Sequence, residues 1–191
     1  MPLKTAAHLR RLTRMADDIP GDIASDASRS PFDLVDPWAA LQDGRRQLLA
    51  AIEAAGPRFA ARTLTIPEFA DLGPATASVL DHLRAQALRD RAHAAFFASL
   101  QSGAPPPTPD GTTPPLTREW RATVEEVEAA RLAMLEAAAA LSSTHWEHPL
   151  TPTWPDAVAE PLAAMLLVRA MCDGILAEAI RSLSAAGTDT R

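Results

Sequence analysis

Apolar side chains recur at helical spacing in four long stretches of the sequence. Within each stretch they fall three or four residues apart, the repeat that places side chains on one face of an α-helix. The predicted helices cover about residues 37–62, 74–103, 117–143 and 157–186. No stretch alternates between apolar and polar residues over a useful length, so a sheet is not expected and the fold class is all-α.

Prolines and glycines separate the four predicted helices. Pro37 suits the first turn of helix 1, and Gly103 ends helix 2. Residues 104–116 contain six prolines and residues 144–156 are also broken by prolines, so both are long connections rather than helices. Helices of this length suit a four-helix bundle. We expect one bundle domain over residues 31–187. An N-terminal extension, 1–30, either holds a short helix or is disordered.

Composition and charge exclude several classes of function. The net charge of −6 and the lack of a long basic run disfavour nucleic-acid binding. The longest apolar run, 161–168, is far too short to span a membrane, and the N-terminus lacks the pattern of a secretory signal. A single cysteine cannot form an internal disulfide, which is typical of a reducing compartment. We therefore expect a cytoplasmic protein that binds neither nucleic acid nor membrane.

The only cysteine lies in helix 4, within RAMCDGILAEAI, where Cys172, Asp173 and Gly174 follow one another. A nucleophilic cysteine needs a lowered pKa, and the only local feature that favours one is Arg169, one turn earlier. We favour the simpler interpretation, in which Cys172 is a small buried apolar residue. Gly174 has no explanation unless close packing against another helix requires a residue without a side chain.

Arginines interrupt the apolar stripes of three predicted helices: Arg45 in helix 1, Arg131 in helix 3 and Arg169 in helix 4. One face of helix 2 is also polar, and its members are His82, Gln86, Arg89 and His93. If these residues converge, they form a positively charged pocket suited to a carboxylate or phosphate. Alternatively the arginines flank the stripes and extend to solvent over their apolar stems. We favour the second interpretation, because burying an unpaired charge is costly.

Two surface patterns have simple interpretations. His145 and His148 have a spacing that can bind metal, but beside Pro149 they more often mark an exposed turn. The acidic run Glu125, Glu126 and Glu128 is most simply a solvated helix face.

From about residue 37 to 185 the chain resembles the DinB-like (DinB/YfiT) superfamily of four-helix proteins. Three stretches carry the resemblance. ATASVLDHLRAQALRDRAHAAFFASLQSGAPPP is similar to the second helix of that family, TREWRATVEEVEAARLAMLEAAAALSSTHWEHPL to its third, and PLAAMLLVRAMCDGILAEAI to its fourth.

The resemblance implies a site for a divalent metal, Zn or Ni, held by a histidine of the second helix and a His-x-x-x-His pair of the fourth. His82 matches the first position, but the pair falls on Cys172 and Leu176, with Asp173 where the family often has an acidic residue. Leucine cannot ligate a metal, so the metal motif is degraded. The simpler interpretation of His82 is a hydrogen-bonded core histidine.

The activities that the resemblance implies are those of thiol-dependent transferases and isomerases. We expect a DinB-like protein that binds a small molecule or a low-molecular-weight thiol conjugate in a bundle pocket, as a homodimer and without a firmly predicted cofactor. The alternatives are a metal-dependent thiol S-transferase or isomerase, and a non-catalytic stress-response or interaction protein.

Overall fold

A computed structural model describes the chain over residues 36–70, 75–104, 119–142, 145 and 162–186. These residues contain four long α-helices: α1 Pro37–Ala55, α2 Val79–Ser102, α3 Trp120–Ala139 and α4 Leu162–Ala186. The all-α class is therefore confirmed. The predictions for residues 1–30 and for the proline-rich connections fall outside the described residues, apart from short flanking pieces. No helix in the described ranges is long and apolar enough to cross a membrane.

Helix α1 begins as the sequence predicts and ends earlier. The side chain of Asp36 accepts a hydrogen bond from the Trp38 N–H at 2.9 Å, and Pro37 occupies the first turn. The helix ends at Ala55 rather than near residue 62, because Gly56 has a φ of 68° and Pro57 starts a separate 3₁₀ turn. A left-handed glycine followed by proline cannot continue a helix.

The expectation of no sheet is wrong for one short segment. Strand β1, Thr63–Thr65, pairs antiparallel with strand β2, Thr76–Ser78. Three residues are too few to produce a recognisable alternation of apolar and polar positions. Because β2 leads directly into α2, this helix starts at Val79 rather than Pro74, with the Ser78 hydroxyl accepting from the Asp81 N–H at 3.0 Å.

Helices α2 and α4 end at predicted breakers, whereas α3 ends at Ala139 rather than near residue 143. Gly103 closes α2 in a left-handed conformation with a φ of 65°, as predicted. Helix α3 begins after Glu119, and residues 117 and 118 of the predicted helix lie outside the described residues. Helix α4 ends at Ala186, directly before Gly187.

The core consists of two apolar clusters, and all four helices contribute to both. The first apolar cluster includes Leu48 to Ala55 of α1, the start of α2, Val127 and Ala130 of α3 and the second half of α4. The second apolar cluster joins Leu41 of α1 to the C-terminal parts of α2 and α3 and the start of α4. Helices α1 and α4 therefore run in one direction along the core, and α2 and α3 run in the other.

One glycine is required by helix packing, and it is not Gly174. A Cβ added to Gly44 of α1 would lie 2.6 Å from the carbonyl oxygen of Ala170 in α4, so the two backbones are in close contact there. A Cβ on Gly174 would meet nothing within 4 Å, which rules out close packing as the reason for that glycine. Nothing in the structure explains Gly174.

Candidate functional site

Four charged side chains form a buried layer between the two apolar clusters. This ionic layer consists of Asp90 from α2, Arg131 from α3, and Arg169 and Asp173 from α4, and none is more than 3% exposed. Along α2, Asp90 follows Ala87 of the first apolar cluster and precedes Phe96 of the second, so the layer divides the core.

Each charge in the ionic layer is balanced by charges of opposite sign. Asp90 accepts from Arg169 Nε through Oδ1 at 2.7 Å and from Arg131 Nε through Oδ2 at 2.8 Å. Asp173 lies 2.7 Å from Arg131 Nη1 and 3.3 Å from Arg169 Nη2. Two carboxylates thus neutralise two guanidinium groups, which permits the burial of all four.

The pKa values in the ionic layer follow from this pairing. Burial alone would raise the pKa of Asp90, but Arg169 and Arg131 outweigh that effect and hold it below its ordinary value. Burial would lower the pKa of Arg169, whereas Asp90 and Asp173 raise it above its ordinary value. Asp90 and Arg169 therefore stay charged near neutral pH.

The favoured prediction for the arginines is wrong for Arg131 and Arg169. Both are buried instead of extending to solvent, because Asp90 and Asp173 supply the pairing that the prediction lacked. Arg45 is half-buried, and with Arg131 and Asp173 it lines a surface cavity of about 10 Å³, room for at most one water molecule. The arginines thus converge in part, but their charge is largely neutralised.

A second group of polar residues lies beside the ionic layer on α2. We call it the α2 polar face, and it consists of His82, Gln86 and Arg89. His82 is 1% exposed and Gln86 is fully buried, whereas Arg89 is half-buried. Residues four and seven positions apart share one face of a helix, so the three side chains leave α2 in similar directions.

Gln86 joins the two groups and is held in one orientation. Its Oε1 accepts a hydrogen bond from Arg169 Nη1 at 2.5 Å. Because an amide has its oxygen on one side and its nitrogen on the other, this contact fixes the position of the Nε2 group. Nε2 is buried and has no hydrogen-bond partner among the described residues.

Arg89 has no counterion within the described part of the chain. Its guanidinium lies over the Phe69 ring at 5.5 Å, and its Nη1 is buried with no partner there. Burial and the nearby Arg169 both lower its pKa. Since the ionic layer is neutral in itself, Arg89 leaves this region with one excess positive charge.

His82 is a buried core histidine, as the simpler interpretation predicts. Its Nε2 lies 3.5 Å from the carbonyl oxygen of Leu64, a long hydrogen bond, and its ring contacts the Phe69 ring edge-on at 5.8 Å. Burial lowers its pKa, so the imidazole is neutral at pH 7. His82 Nδ1 is buried and lacks a partner among the described residues.

Cys172 is 3% exposed and belongs to the first apolar cluster, which confirms that it is a small buried residue. Burial raises the pKa of its thiol, although Arg169 and Arg89 act in the opposite direction. A nucleophile needs a lowered pKa and access to the reactant. Cys172 has neither.

His93 lies one turn beyond the α2 polar face and stacks on the ring of Phe97 at 6.3 Å. Burial and then the positive charge of Arg169 lower its pKa from 6.5 to about 4. His93 is therefore neutral at physiological pH and does not add to the positive charge of the region.

The described residues do not supply the ligands of a metal site. Nowhere among them do three or more His, Cys, Asp or Glu side chains come together in a way that could hold a metal ion. Of the predicted ligands, Asp173 is engaged by two arginines, and Cys172 is buried with a raised thiol pKa. His82 keeps one ring nitrogen, Nδ1, that has no hydrogen-bond partner among the described residues.

The structure describes part of the two surface patterns, the histidine pair and the acidic run. Ser142 contacts His145 Nδ1 through its hydroxyl at 2.7 Å, whereas His148 lies outside the described residues. In the acidic run, Glu125 and Glu128 are exposed, but Glu126 is half-buried and forms an ion pair with Arg91 of α2. The run is therefore only partly a solvated face.

Asp90 is the residue of this region that the sequence predictions missed. The signal was present, because Val79, Leu83, Gln86, Asp90 and Phe97 follow one heptad-like stripe that faces the core. A carboxylate on such a stripe indicates a buried partner of opposite charge.

Comparison of the chain with models of protein families, with curated proteins and with solved structures found no match.

Proposed function

We propose that this chain is a small-molecule-binding protein, a four-helix bundle of the DinB-like type, whose α2 polar face takes a ligand with a carboxylate or phosphate group. The observation that carries the proposal is a pair of buried N–H groups, Gln86 Nε2 and Arg89 Nη1, with no acceptor among the described residues. Buried donors are nearly always paired in folded proteins, so such a pair favours an acceptor from outside this part of the chain.

The charge of the region supports an anionic ligand. Asp90 and Asp173 are already paired with Arg131 and Arg169, so they do not neutralise Arg89. A guanidinium binds carboxylate and phosphate strongly because it donates two parallel charge-assisted hydrogen bonds. The fixed Gln86 amide adds a neutral donor next to it.

The arrangement supports binding more than catalysis. Cys172 is buried with a raised thiol pKa, and the described residues include no group of three metal ligands. The thiol-transferase alternative would need a reactive thiol or a metal site, and the described residues supply neither. The proposal therefore assigns no reaction to the chain.

Calorimetric titration of the full chain tests the proposal. The probes are butanoate and inorganic phosphate, with neutral butanamide as the control for shape. We expect saturable binding of at least one anion, weaker binding of the amide, and a loss of about tenfold or more in Arg89→Met, because hydrogen bonds to charged groups contribute the most.

Arg121→Gln is the matched control variant. Arg121 is 84% exposed and pairs with Glu125 one turn away, so its charge can be removed without touching the α2 polar face. The control is expected to keep the affinity of the unmodified chain. Absence of saturable binding by both anions, or equal binding by Arg89→Met, would contradict the proposal and favour the non-catalytic interaction protein.

A further inference from the structure

The α2 polar face offers an acceptor as well as donors. The imidazole of His82 is neutral, and its Nε2 faces the carbonyl oxygen of Leu64, which can only accept. On this contact we assign the ring proton to Nε2, which leaves a lone pair on Nδ1. This lone pair is buried and finds no donor in the described ranges.

Phe69 contacts both ends of the α2 polar face, His82 at one end and Arg89 at the other. The His82 ring contacts Phe69 at 5.8 Å and the Arg89 guanidinium lies over the same ring at 5.5 Å. Their backbone positions are two turns apart, about 10 Å along the helix axis, with Gln86 between them. Phe69 is fully buried and lies beside both ends of the α2 polar face.

We infer that the ligand is a hydroxy acid, whose acidic group binds Gln86 and Arg89 and whose hydroxyl donates a hydrogen bond to His82 Nδ1. This inference rests on the proposed function, because it concerns the same face of α2. It adds a substrate class and identifies His82 as the residue that selects it. Both ends of such a ligand would satisfy polar atoms that are otherwise buried and unpaired.

A hydroxyl fits His82 better than an ammonium group, the other common donor. Arg89 carries a positive charge without a counterion in the described residues, so a second cation on the same face would be repelled. A hydroxyl donates one hydrogen bond without adding charge. Hydroxy acids are therefore favoured over amino acids.

The test compares ω-hydroxy acids of three to six carbons with the parent alkanoates that lack the hydroxyl. Titration calorimetry gives the dissociation constant of each pair with the full chain. We expect at least one hydroxy acid to bind about tenfold or more tightly than its parent, since an unpaired buried acceptor is costly. The matching ω-amino acid is expected to bind no better than the parent.

Variants of His82 test whether the tighter binding of a hydroxy acid depends on His82 Nδ1. In His82→Phe the hydroxyl preference is expected to disappear, so that the hydroxy acid and its parent alkanoate bind with equal affinity, because the phenyl ring has no lone pair. In His82→Gln the side-chain carbonyl can accept, so part of the preference should return. In Arg89→Met both members of a pair are expected to weaken to a similar extent.

Two failures can be told apart. If the alkanoates bind and need Arg89, but no hydroxyl improves binding, the hydroxy-acid inference is overturned and the proposed function stands. If only inorganic phosphate binds, the hydroxy-acid inference is again overturned alone; if alkanoates, hydroxy acids and phosphate all fail to bind, both are overturned. A hydroxyl preference that survives in His82→Phe also overturns the role given to His82.

Discussion

Asp90 of α2 connects three of the four helices, because one of its carboxylate oxygens contacts α3 and the other contacts α4. Its two carboxylate oxygens accept from arginines of α3 and α4, and all three side chains are almost fully buried. An intact buried ion pair stabilises a protein little more than apolar residues in its place would. The loss of one partner, however, leaves an unpaired charge in the protein interior, which solvates it poorly. Removal of this one carboxylate should therefore be among the most damaging single changes.

We expect Asp90→Asn to lower the free energy of unfolding by about 3–5 kcal/mol, the range for breaking a buried pair. Equilibrium unfolding in urea measures the change. Asp43→Asn is the control, because Asp43 and its partner Arg46 are mostly exposed, and a loss of at most about 1 kcal/mol is expected there. Equal effects of the two substitutions would contradict the burial of the ionic layer.

The thiol of Cys172 should be unreactive while the protein is folded. Burial raises its pKa and restricts access of a reagent. Titration with an aromatic disulfide reagent at pH 7.5 is expected to give a rate at least about a hundredfold slower in buffer than in denaturant, because reaction requires local opening. Comparable rates under the two conditions would show an accessible thiol.

At the scale of the elements, long amphipathic helices were predictable and short pairings were not. Repeats of apolar residues over more than twenty positions indicate α2 and α4 clearly, and Gly103 and Gly187 limit them. The ladder between Thr63–Thr65 and Thr76–Ser78 depends on a register between distant residues. Such a contact leaves little trace in the local pattern of three residues.

Two helix glycines provide a matched pair for testing the packing of α1 against α4. Gly44→Ala should lower the free energy of unfolding by about 1–3 kcal/mol, because the new methyl group would meet the Ala170 backbone, which cannot move freely. Gly174→Ala should raise it by about 0.5–1 kcal/mol, since alanine favours the helix and the space is open. Chemical denaturation of both variants checks the opposite signs.

Over the whole molecule, the sequence did not decide whether the arginines on the apolar stripes face the core or the solvent, and the favoured prediction, solvent, is wrong for Arg131 and Arg169. The stripes of α3 and α4 pointed to Arg131 and Arg169, and the face of α2 pointed to Gln86 and Arg89. Whether buried arginines form an open pocket or a neutral layer depends on which carboxylates the other helices bring to the same level. The relative position of the helices decides which carboxylates these are, and the apolar stripe of a single helix does not show that position.

The pH dependence of stability follows from histidines that are buried in the neutral form. The pKa of His93 falls from 6.5 to about 4 on folding, so between these values the unfolded chain binds a proton that the folded chain does not. Stability should therefore fall as pH decreases from 6.5 to 4, by at most about 3 kcal/mol for this group. Below about pH 4, protonation of Asp90, whose pKa is lowered from 3.8, adds a further loss.

Unfolding curves from pH 7.5 to 4 for the unmodified chain and for His93→Phe test this assignment. The variant should show a smaller slope of stability against pH, and some slope should remain because the pKa of His82 is also lowered. An unchanged slope would mean that His93 has the same pKa in the folded and the unfolded chain, which would contradict the assignment.

The most direct test of the central claim, that the α2 polar face binds an anion, is a titration of the ¹⁵N-labelled chain with butanoate, followed by NMR of side-chain signals. Saturable shifts of the Gln86 amide and the Arg89 guanidinium signals are expected. The exposed Arg46 and Arg121 serve as internal references and should move little. Saturable shifts confined to the exposed arginines, or no saturable shift at Gln86 and Arg89, would contradict it.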